Sequence, residues 1–215
     1  MNDPRLNNLL KWSIENSEAS RSDPNAPKTD PSRTLDADAL RALLTGMTGP
    51  SDAEMMLRKM DIIMSDQHSL EDKVSAFDDF EMLIENLDNA NNMENLGLWT
   101  KLIDQLEHEE AEIRKYAAWC AGTAVENNAR AQERLLVVGA IPTLVKLAIE
   151  DPSREVRKKA VRALSCASRN HQPSLDALLE HVPSQYRPEA KLDAGDMAAV
   201  DSLIHRLKAD AEKPR

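Results

Sequence analysis

The chain has 215 residues, of which 41% are apolar, 30% charged and 3% aromatic. It contains no run of about twenty apolar residues, the length that a membrane-spanning helix needs, and its few glycines and aromatic residues argue against a β-sandwich, a β-barrel or a dinucleotide-binding sheet. Thirty-seven acidic and twenty-seven basic residues give a net charge of −10, which argues against a general nucleic-acid-binding protein.

The N-terminal region divides into two predicted segments. Residues 16–34 contain three prolines and no Ile, Leu, Val, Met or Phe, so they cannot bury enough apolar surface to offset the entropy lost on ordering. We therefore predict that residues 1–34 are a flexible segment and linker, and that residues 35–50 hold a short helix (36–44) and a second linker. An apolar patch in the first segment consists of Leu6, Leu9, Leu10, Trp12 and Ile14.

From residue 51 onward the pattern is helical, and it repeats. A shift of 41 positions places Ala76 on Ala117, and a shift of 43 places Ala117 on Ala160. Periods in the low forties in an all-helical pattern are typical of armadillo and HEAT arrays, whose units bury their apolar faces only against neighbouring units. We predict an all-α, armadillo-like repeat solenoid over 51–215 with a disordered N-terminal extension. A last amphipathic helix at 196–208 would cap the stack.

The predicted helices offer little for catalysis. No two histidines have the spacing of a helical metal-binding pair, and no glycine-rich phosphate loop or G-x-S-x-G motif occurs. Cys120 and Cys166 lie in alanine-rich helices and are expected to be packed core residues. We predict a protein that is not an enzyme and holds no metal or cofactor. Two cysteines and no secretory or lipidation pattern predict a cytoplasmic protein that does not bind membranes.

Charge is segregated along the repeats. Residues 66–112 hold fourteen acidic and two basic residues, whereas residues 113–170 hold eleven basic and five acidic ones. Opposite potentials at the two ends of an array can orient a charged partner.

The long last helix of each repeat, at about 71–86, 112–127 and 155–170, is predicted to line the concave face. Helical spacing places a stripe opposite the buried face that changes from acidic through aromatic to basic. The predicted partner-binding residues of this stripe are Asp78, Glu81, Glu85, Lys115, Trp119, Glu126, Lys158, Arg162 and Arg169. Trp119, next to the space left by Gly122, suits an interface anchor; the alternative is that it packs inward against a neighbouring repeat.

Several long strings carry a family resemblance: LNNLLKWSIENS (6–17), FDDFEMLIENLDNANNMENLGLW (77–99), AAWCAGTAVENN (117–128) and DPSREVRKKAVRALSCASRN (151–170). They resemble the fungal Fes-type nucleotide exchange factors for heat-shock protein 70 chaperones, which are relatives of the animal heat-shock-protein-70-binding family. The resemblance implies an armadillo domain whose concave face binds the second lobe of the chaperone's nucleotide-binding domain. That contact would displace the lobes and weaken the ADP site. It implies a protein partner, no cofactor, and a monomer.

The resemblance also implies two further sets of functional residues. One is a contact loop formed by Asn89, Ala90, Asn91 and Asn92, in which Ala90 is the small-residue contact point. We expect Ala90→Arg to block binding without unfolding the array. The other set would help to release client peptides and consists of Leu9, Leu10, Trp12 and Ile14. Unlike the longer yeast members, the chain holds about three repeats and a cap, and Asp79 replaces the Asn that many members carry.

Two other functions remain open. An armadillo peptide receptor of the nuclear-import kind clamps an extended basic peptide with Trp and Asn residues four positions apart. Here Thr123 follows Trp119 at that spacing, and the basic second half of the groove has the wrong sign for a cationic peptide. A scaffold that binds another protein without affecting nucleotide exchange is the second alternative.

Overall fold

The computed structural model describes residues 4–17, 35, 37, 40, 41, 44 and 50–214. The chain forms two compact units, Met1–Ser51 and Asp52–Arg215. In the first unit, helix α1 spans Pro4–Glu15. The predicted helix over 36–44 is helical at its four described positions, and its other residues lie outside the described part of the chain. Of the predicted linker over 16–34, the structure describes only residues 16 and 17. The predicted disorder therefore concerns residues that lie outside the described part of the chain.

The second unit consists of helices joined by short turns, except for the longer connection over 182–196 before the last helix. They are α2 (Asp52–Met64), α3 (Leu70–Ile84), α4 (Leu87–Asn92), α5 (Leu98–Asp104), α6 (Ala111–Val125), α7 (Ala129–Val137), α8 (Ala140–Glu150), α9 (Arg154–Ser168), α10 (Gln172–His181) and α11 (Met197–Ala211), with 3-10 turns at Gln105–Glu107 and Ser184–Tyr186. No strand occurs in the described residues, and the predicted all-α class is confirmed. None of the described helices combines the length and apolar character needed to cross a membrane.

Local sequence signals determine where these helices begin. Ser69 and Asp72 form a capping box at the start of α3, in which each side chain accepts a hydrogen bond from the other residue's backbone N–H. Asn127 and Asn170 have positive φ angles of 52° and 56°, and they are the pair that the 43-residue shift relates. Asparagine tolerates this left-handed conformation better than most residues, so the two asparagines end α6 and α9 in the same way.

The core lies between the long helices. The helices α3, α6 and α9 pack side by side, α6 against both of the others. They run parallel, because contacts between them join residues whose numbers increase together. Phe77 and Glu81 of α3 contact Cys120 and Thr123 of α6, and Trp119 and Gly122 of α6 contact Lys159 and Ala163 of α9. Cys120 is fully buried, which confirms it as a core residue. The three helices are the ones predicted to carry the stripe, and their bounds differ from the predicted ones by one or two residues.

Two arginines at equivalent repeat positions join neighbouring segments of the stack. Arg114, near the start of α6, pairs with the Asp151 carboxylate at 2.7 Å and donates to the carbonyl of His108 at 2.8 Å. Arg157, near the start of α9, is only 1% exposed. Its guanidinium donates to carbonyls before α9 and at the C-terminus, those of Asp151, Pro152, Ala211 and Lys213. The capping helix α11 is held in place by this buried arginine.

Candidate functional site

A chain of side-chain contacts crosses the three parallel helices. The Tyr116 hydroxyl donates to the Asp78 carboxylate at 3.3 Å, which joins α6 to α3. Arg162 of α9 donates to the Glu126 carboxylate at 2.8 Å and to the Thr123 hydroxyl at 3.3 Å. The predicted residues Asp78 and Arg162 therefore lie on one continuous surface with Trp119. We call this surface the ladder face and define it by Asp78, Glu85, Tyr116, Trp119, Lys159 and Arg162.

Trp119 lies half-buried at the middle of the ladder face. Its ring is 5.6 Å from the Tyr116 ring, centroid to centroid, and the Phe77 ring stacks on Tyr116 at 5.8 Å. The Lys159 ammonium lies over the Trp119 ring, 3.4 Å from its centroid, which is a cation–π contact. Trp119 is thus neither a free anchor nor a core residue: neighbours hold it in place and leave part of it accessible.

Sequence reasoning missed Tyr116 and Lys159, although a signal was present. The 43-residue shift relates these two residues to each other, so they form a second stripe one position beyond Lys115 and Lys158. Burial and the neighbouring Asp78 carboxylate raise the pKa of Tyr116 to about 12. Burial, and then the Arg162 cation, lower the pKa of Lys159 from its ordinary value.

Glu81 of the predicted stripe, and Gly122 beside Trp119, are not available at the surface. Glu81 is only 6% exposed, and its carboxylate accepts a hydrogen bond from the Thr123 hydroxyl at 2.7 Å. Gly122 is also buried, because the backbone of Ala163 lies against it: a Cβ atom at Gly122 would come within 3.1 Å of the Ala163 Cα. The expectation that Gly122 opens space beside Trp119 is therefore wrong.

The predicted contact loop at residues 89–92 is the end of helix α4, so the loop assignment is wrong. Ala90 is only 2% exposed and belongs to the apolar core, so little of it reaches the surface, and its role as the contact point stays a prediction. Asn89 donates to the Leu83 carbonyl and to the Asp52 carboxylate, both at 2.9 Å. Asn91 and Asn92 are half-buried. The segment thus joins α2, α3 and α4, and only its asparagines reach the surface.

The remaining charged residues of the stripe are already paired. Lys115 forms an ion pair with Glu112 on the same helix, and Lys158 pairs with Glu155 at 3.4 Å. Arg169 forms an ion pair with Asp201 of α11. The exposed acidic residues Asp78 and Glu85 lie on α3 and at its C-terminal end, whereas the cations lie on α6, on α9 and at the C-terminal end of α9. The predicted change from acidic to basic along the helices is therefore present in the structure.

The described residues contain no group of three or more His, Cys, Asp or Glu side chains placed to hold a metal ion. The pKa of the Cys120 thiol is raised well above its ordinary value by burial. Cys166 is half-buried, and burial followed by the nearby Glu126 carboxylate also raises its pKa. A raised pKa keeps a thiol protonated and unreactive.

The predicted client-release residues on α1 divide into two groups. Leu9 is buried and Trp12 is half-buried, whereas Leu10 and Ile14 are 60% and 55% exposed. Their spacing of four residues places Leu10 and Ile14 next to each other on one side of the helix. The side chain of Leu6 lies outside the described part of the chain.

Known proteins match this chain over most of its length. The family model "Nucleotide exchange factor Fes1" matches residues 6–93, and the model "SIL1/FES1/HPBP1 C-terminal domain" matches residues 89–185. The Hsp70 nucleotide exchange factor FES1 of Gibberella zeae is 55% identical over 212 residues, with 97% of each chain covered. The protein of the same name from Coccidioides immitis is 51% identical over 209 residues, covering 96% of this chain and 98% of that one.

A solved structure supports the fold independently. A designed armadillo repeat protein in complex with the peptide (KR)4 superposes with a TM-score of 0.52 at 18% identity, covering 76% of this chain and 71% of that one. At this identity the likeness concerns the fold alone, and it confirms the predicted armadillo-like class.

Proposed function

Because this chain belongs to the Fes1 family of Hsp70 nucleotide exchange factors, we propose that it binds the nucleotide-binding domain of a cytoplasmic Hsp70 chaperone and accelerates ADP release. The observation that carries this proposal is the high identity, over nearly the whole chain, to relatives that bear the name of this activity. Faster ADP release would promote client release and protein folding.

We propose the ladder face as the binding surface. Half-buried aromatic residues that neighbours hold in place are typical anchors of protein interfaces, and Trp119 and Tyr116 are such residues. Beside them, Asp78 and Glu85 are exposed, and Met82 of α3 is 69% exposed. The acidic α3 and the basic α9 give this surface two opposite potentials, which would orient a partner of complementary charge.

The activity needs no bond-making chemistry, and we propose that the protein is not an enzyme and acts as a monomer. An exchange factor accelerates ADP loss by binding the opened, nucleotide-free chaperone more tightly than the ADP-bound one. By linkage, ADP then weakens the binding of this protein to the chaperone by the same factor. The acceleration of ADP release therefore depends only on the difference between the free energies with which the protein binds the two chaperone states.

The N-terminal residues have a separate proposed role. Leu10 and Ile14 present adjacent apolar side chains on α1, and residues 1–34 would help to free client peptides from the chaperone through them. Deleting residues 1–34 would then slow client release while leaving the acceleration of ADP release intact. The same deletion would contradict this role if it left client release unchanged.

Stopped-flow release of a fluorescent ADP analogue from an Hsp70 nucleotide-binding domain tests the proposed function. Adding this protein should accelerate release in proportion to the amount of complex formed. Binding without acceleration would instead support the scaffold alternative. Tight binding of an extended basic peptide, with no effect on release, would support the peptide-receptor alternative. The positive charges of Lys159 and Arg162 on the ladder face, and the Thr123 hydroxyl in place of an asparagine, both argue against that receptor.

A further inference from the structure

The basic residues of α6 and α9 fall into two groups according to whether an oxygen atom accepts their hydrogen bonds. Those that have such an acceptor, on a carboxylate or a carbonyl, are Arg114, Lys115, Arg154, Arg157, Lys158 and Arg162. Lys159 is the one basic residue of these two helices for which no acceptor lies within reach in the described part of the chain. Its ammonium contacts the face of Trp119 instead.

The contact with the Trp119 face meets only part of the hydrogen-bonding capacity of the Lys159 ammonium. An ammonium group has three N–H donors, and an aromatic face attracts the positive charge but does not replace three hydrogen-bond acceptors. Burial lowers the pKa of Lys159, and the Arg162 cation lowers it further. The structure thus holds a half-buried cation at the centre of the ladder face with unused donors.

The charged groups around Lys159 do not supply the missing acceptor. From α6, Lys115 adds a second positive charge, and from α9, Arg162 adds a third. From α3, the Glu81 carboxylate raises the pKa of Lys159, but this carboxylate accepts a hydrogen bond from the Thr123 hydroxyl and forms no ion pair with Lys159. Lys115 and Arg162 have their own carboxylate partners, Glu112 and Glu126. No carboxylate accepts a hydrogen bond from Lys159 in the described part of the chain, so its donors remain open to an anionic group from outside.

Resting on the function proposed above, we infer that Lys159 receives the carboxylate of an Asp or Glu side chain on the chaperone's nucleotide-binding domain. That side chain packs beside the accessible part of Trp119. The bond forms in an interface that excludes water, where a charge-assisted hydrogen bond is stronger than a neutral one. The cation–π contact holds the ammonium in place before binding, so little entropy is lost when the partner arrives.

Lys159→Met tests this inference because methionine keeps a flexible apolar stem against Trp119 and removes the charge. We expect it to weaken binding to an Hsp70 nucleotide-binding domain by about 30-fold, as truncation of one member of a buried charge pair does. Lys159→Arg should retain binding within about threefold, since an arginine keeps the positive charge, supplies N–H donors and also contacts the face of a tryptophan. Lys146→Met, an exposed lysine on α8, is the matched control and should bind as the wild type does.

A scan of the partner identifies the acceptor. Each exposed Asp or Glu of the nucleotide-binding domain is changed to Asn or Gln in turn. One such change should weaken binding of the wild-type protein by a factor close to that of Lys159→Met and should cause no further loss when combined with it. If Lys159→Met fails to fold, as judged by far-UV circular dichroism, Lys159→Gln takes its place in the same cycle.

The outcomes separate this inference from the proposed function. If the wild type binds and accelerates ADP release but Lys159→Met and Lys146→Met have equal affinities, the inference is overturned and the proposed function stands. The inference would also be overturned if the loss of affinity in Lys159→Met were coupled to a bound phosphate group and to no carboxylate of the partner. If the wild type does not bind the nucleotide-binding domain at all, the inference about Lys159 and the proposed function are both contradicted.

Discussion

Gly122 of α6 packs directly against the backbone of Ala163 in α9, with the position of its missing Cβ atom 3.1 Å from the Ala163 Cα. No larger residue fits between the two helices without moving them apart. This contact brings α9 close enough for Arg162 to reach Thr123 and for Lys159 to reach Trp119. The ladder face therefore depends on a glycine that lies beneath it.

Replacing Gly122 by valine should separate α6 from α9 and destabilise the protein. Overpacking of this kind costs about 1–3 kcal/mol. Urea unfolding gives the change in the free energy of unfolding. Ser75→Val, at an exposed position in α3, controls for the introduction of a valine into a helix without overpacking and should cost less than about 1 kcal/mol. Equal stabilities of the two variants would show that the close approach of the helices is unimportant.

Ala90→Arg should unfold or strongly destabilise the protein, contrary to what the sequence alone suggests. Because Ala90 is buried in the core, an arginine there either leaves a buried charge or forces α4 away, at a cost of about 3 kcal/mol or more. Thermal unfolding followed by far-UV circular dichroism measures this loss. Asn95→Arg, at an exposed site nearby, should leave the melting temperature nearly unchanged. If the Ala90→Arg protein were as stable as the wild type, the result would support the predicted role of Ala90 as a surface contact.

Arg157→Met should loosen the C-terminal helix. The substitution leaves four carbonyls without their donor, and we expect a loss of about 3 kcal/mol or more. Hydrogen exchange should show faster exchange of the α11 amides than of the α3 amides. Arg154→Met removes an exposed ion pair with Glu212 and should cost at most about 1 kcal/mol. Unchanged protection of α11 in Arg157→Met would contradict the role of this arginine.

Stability should fall as the pH rises from 10 to 12. Tyr116 keeps its proton to a pKa of about 12 in the folded state, against an ordinary value of 10.0. The unfolded chain therefore loses this proton first, and the associated stabilisation, fully present below pH 10, is lost as the pH approaches 12. Tyr116→Phe should reduce this decline in urea unfolding measured across the same range. An identical decline in the stability of the variant would contradict the raised pKa of Tyr116.

The sequence predicts the repeat register well because neighbouring repeats make the same contacts. The 41-residue shift relates Phe77 to Ala118, which is two residues before Cys120, whose thiol contacts the Phe77 carbonyl. The 43-residue shift relates Tyr116 to Lys159 and also relates the two asparagines that end α6 and α9. The helix order and the placement of Asp78, Trp119 and Arg162 on one surface follow from this periodicity.

The sequence predicts the solvent exposure of single side chains less well, because helical spacing shows only on which side of its own helix a residue lies. It does not show whether a neighbouring helix covers that side. Glu81 is on the predicted stripe, but Thr123 of α6 covers it. Lys158 lies on the same stripe and pairs locally, whereas Lys159, one position further, faces Trp119 because α9 packs against α6 at that angle. Such differences depend on the packing between repeats.

The affinity of this protein for an Hsp70 nucleotide-binding domain, measured with and without saturating ADP, tests the central claim most directly. If the protein drives exchange by preferring the opened chaperone, saturating ADP should weaken its binding at least about tenfold. The factor should equal the one by which this protein weakens ADP binding. Equal affinities in the two conditions would leave no coupling free energy to accelerate ADP release, and would contradict its assignment as an exchange factor.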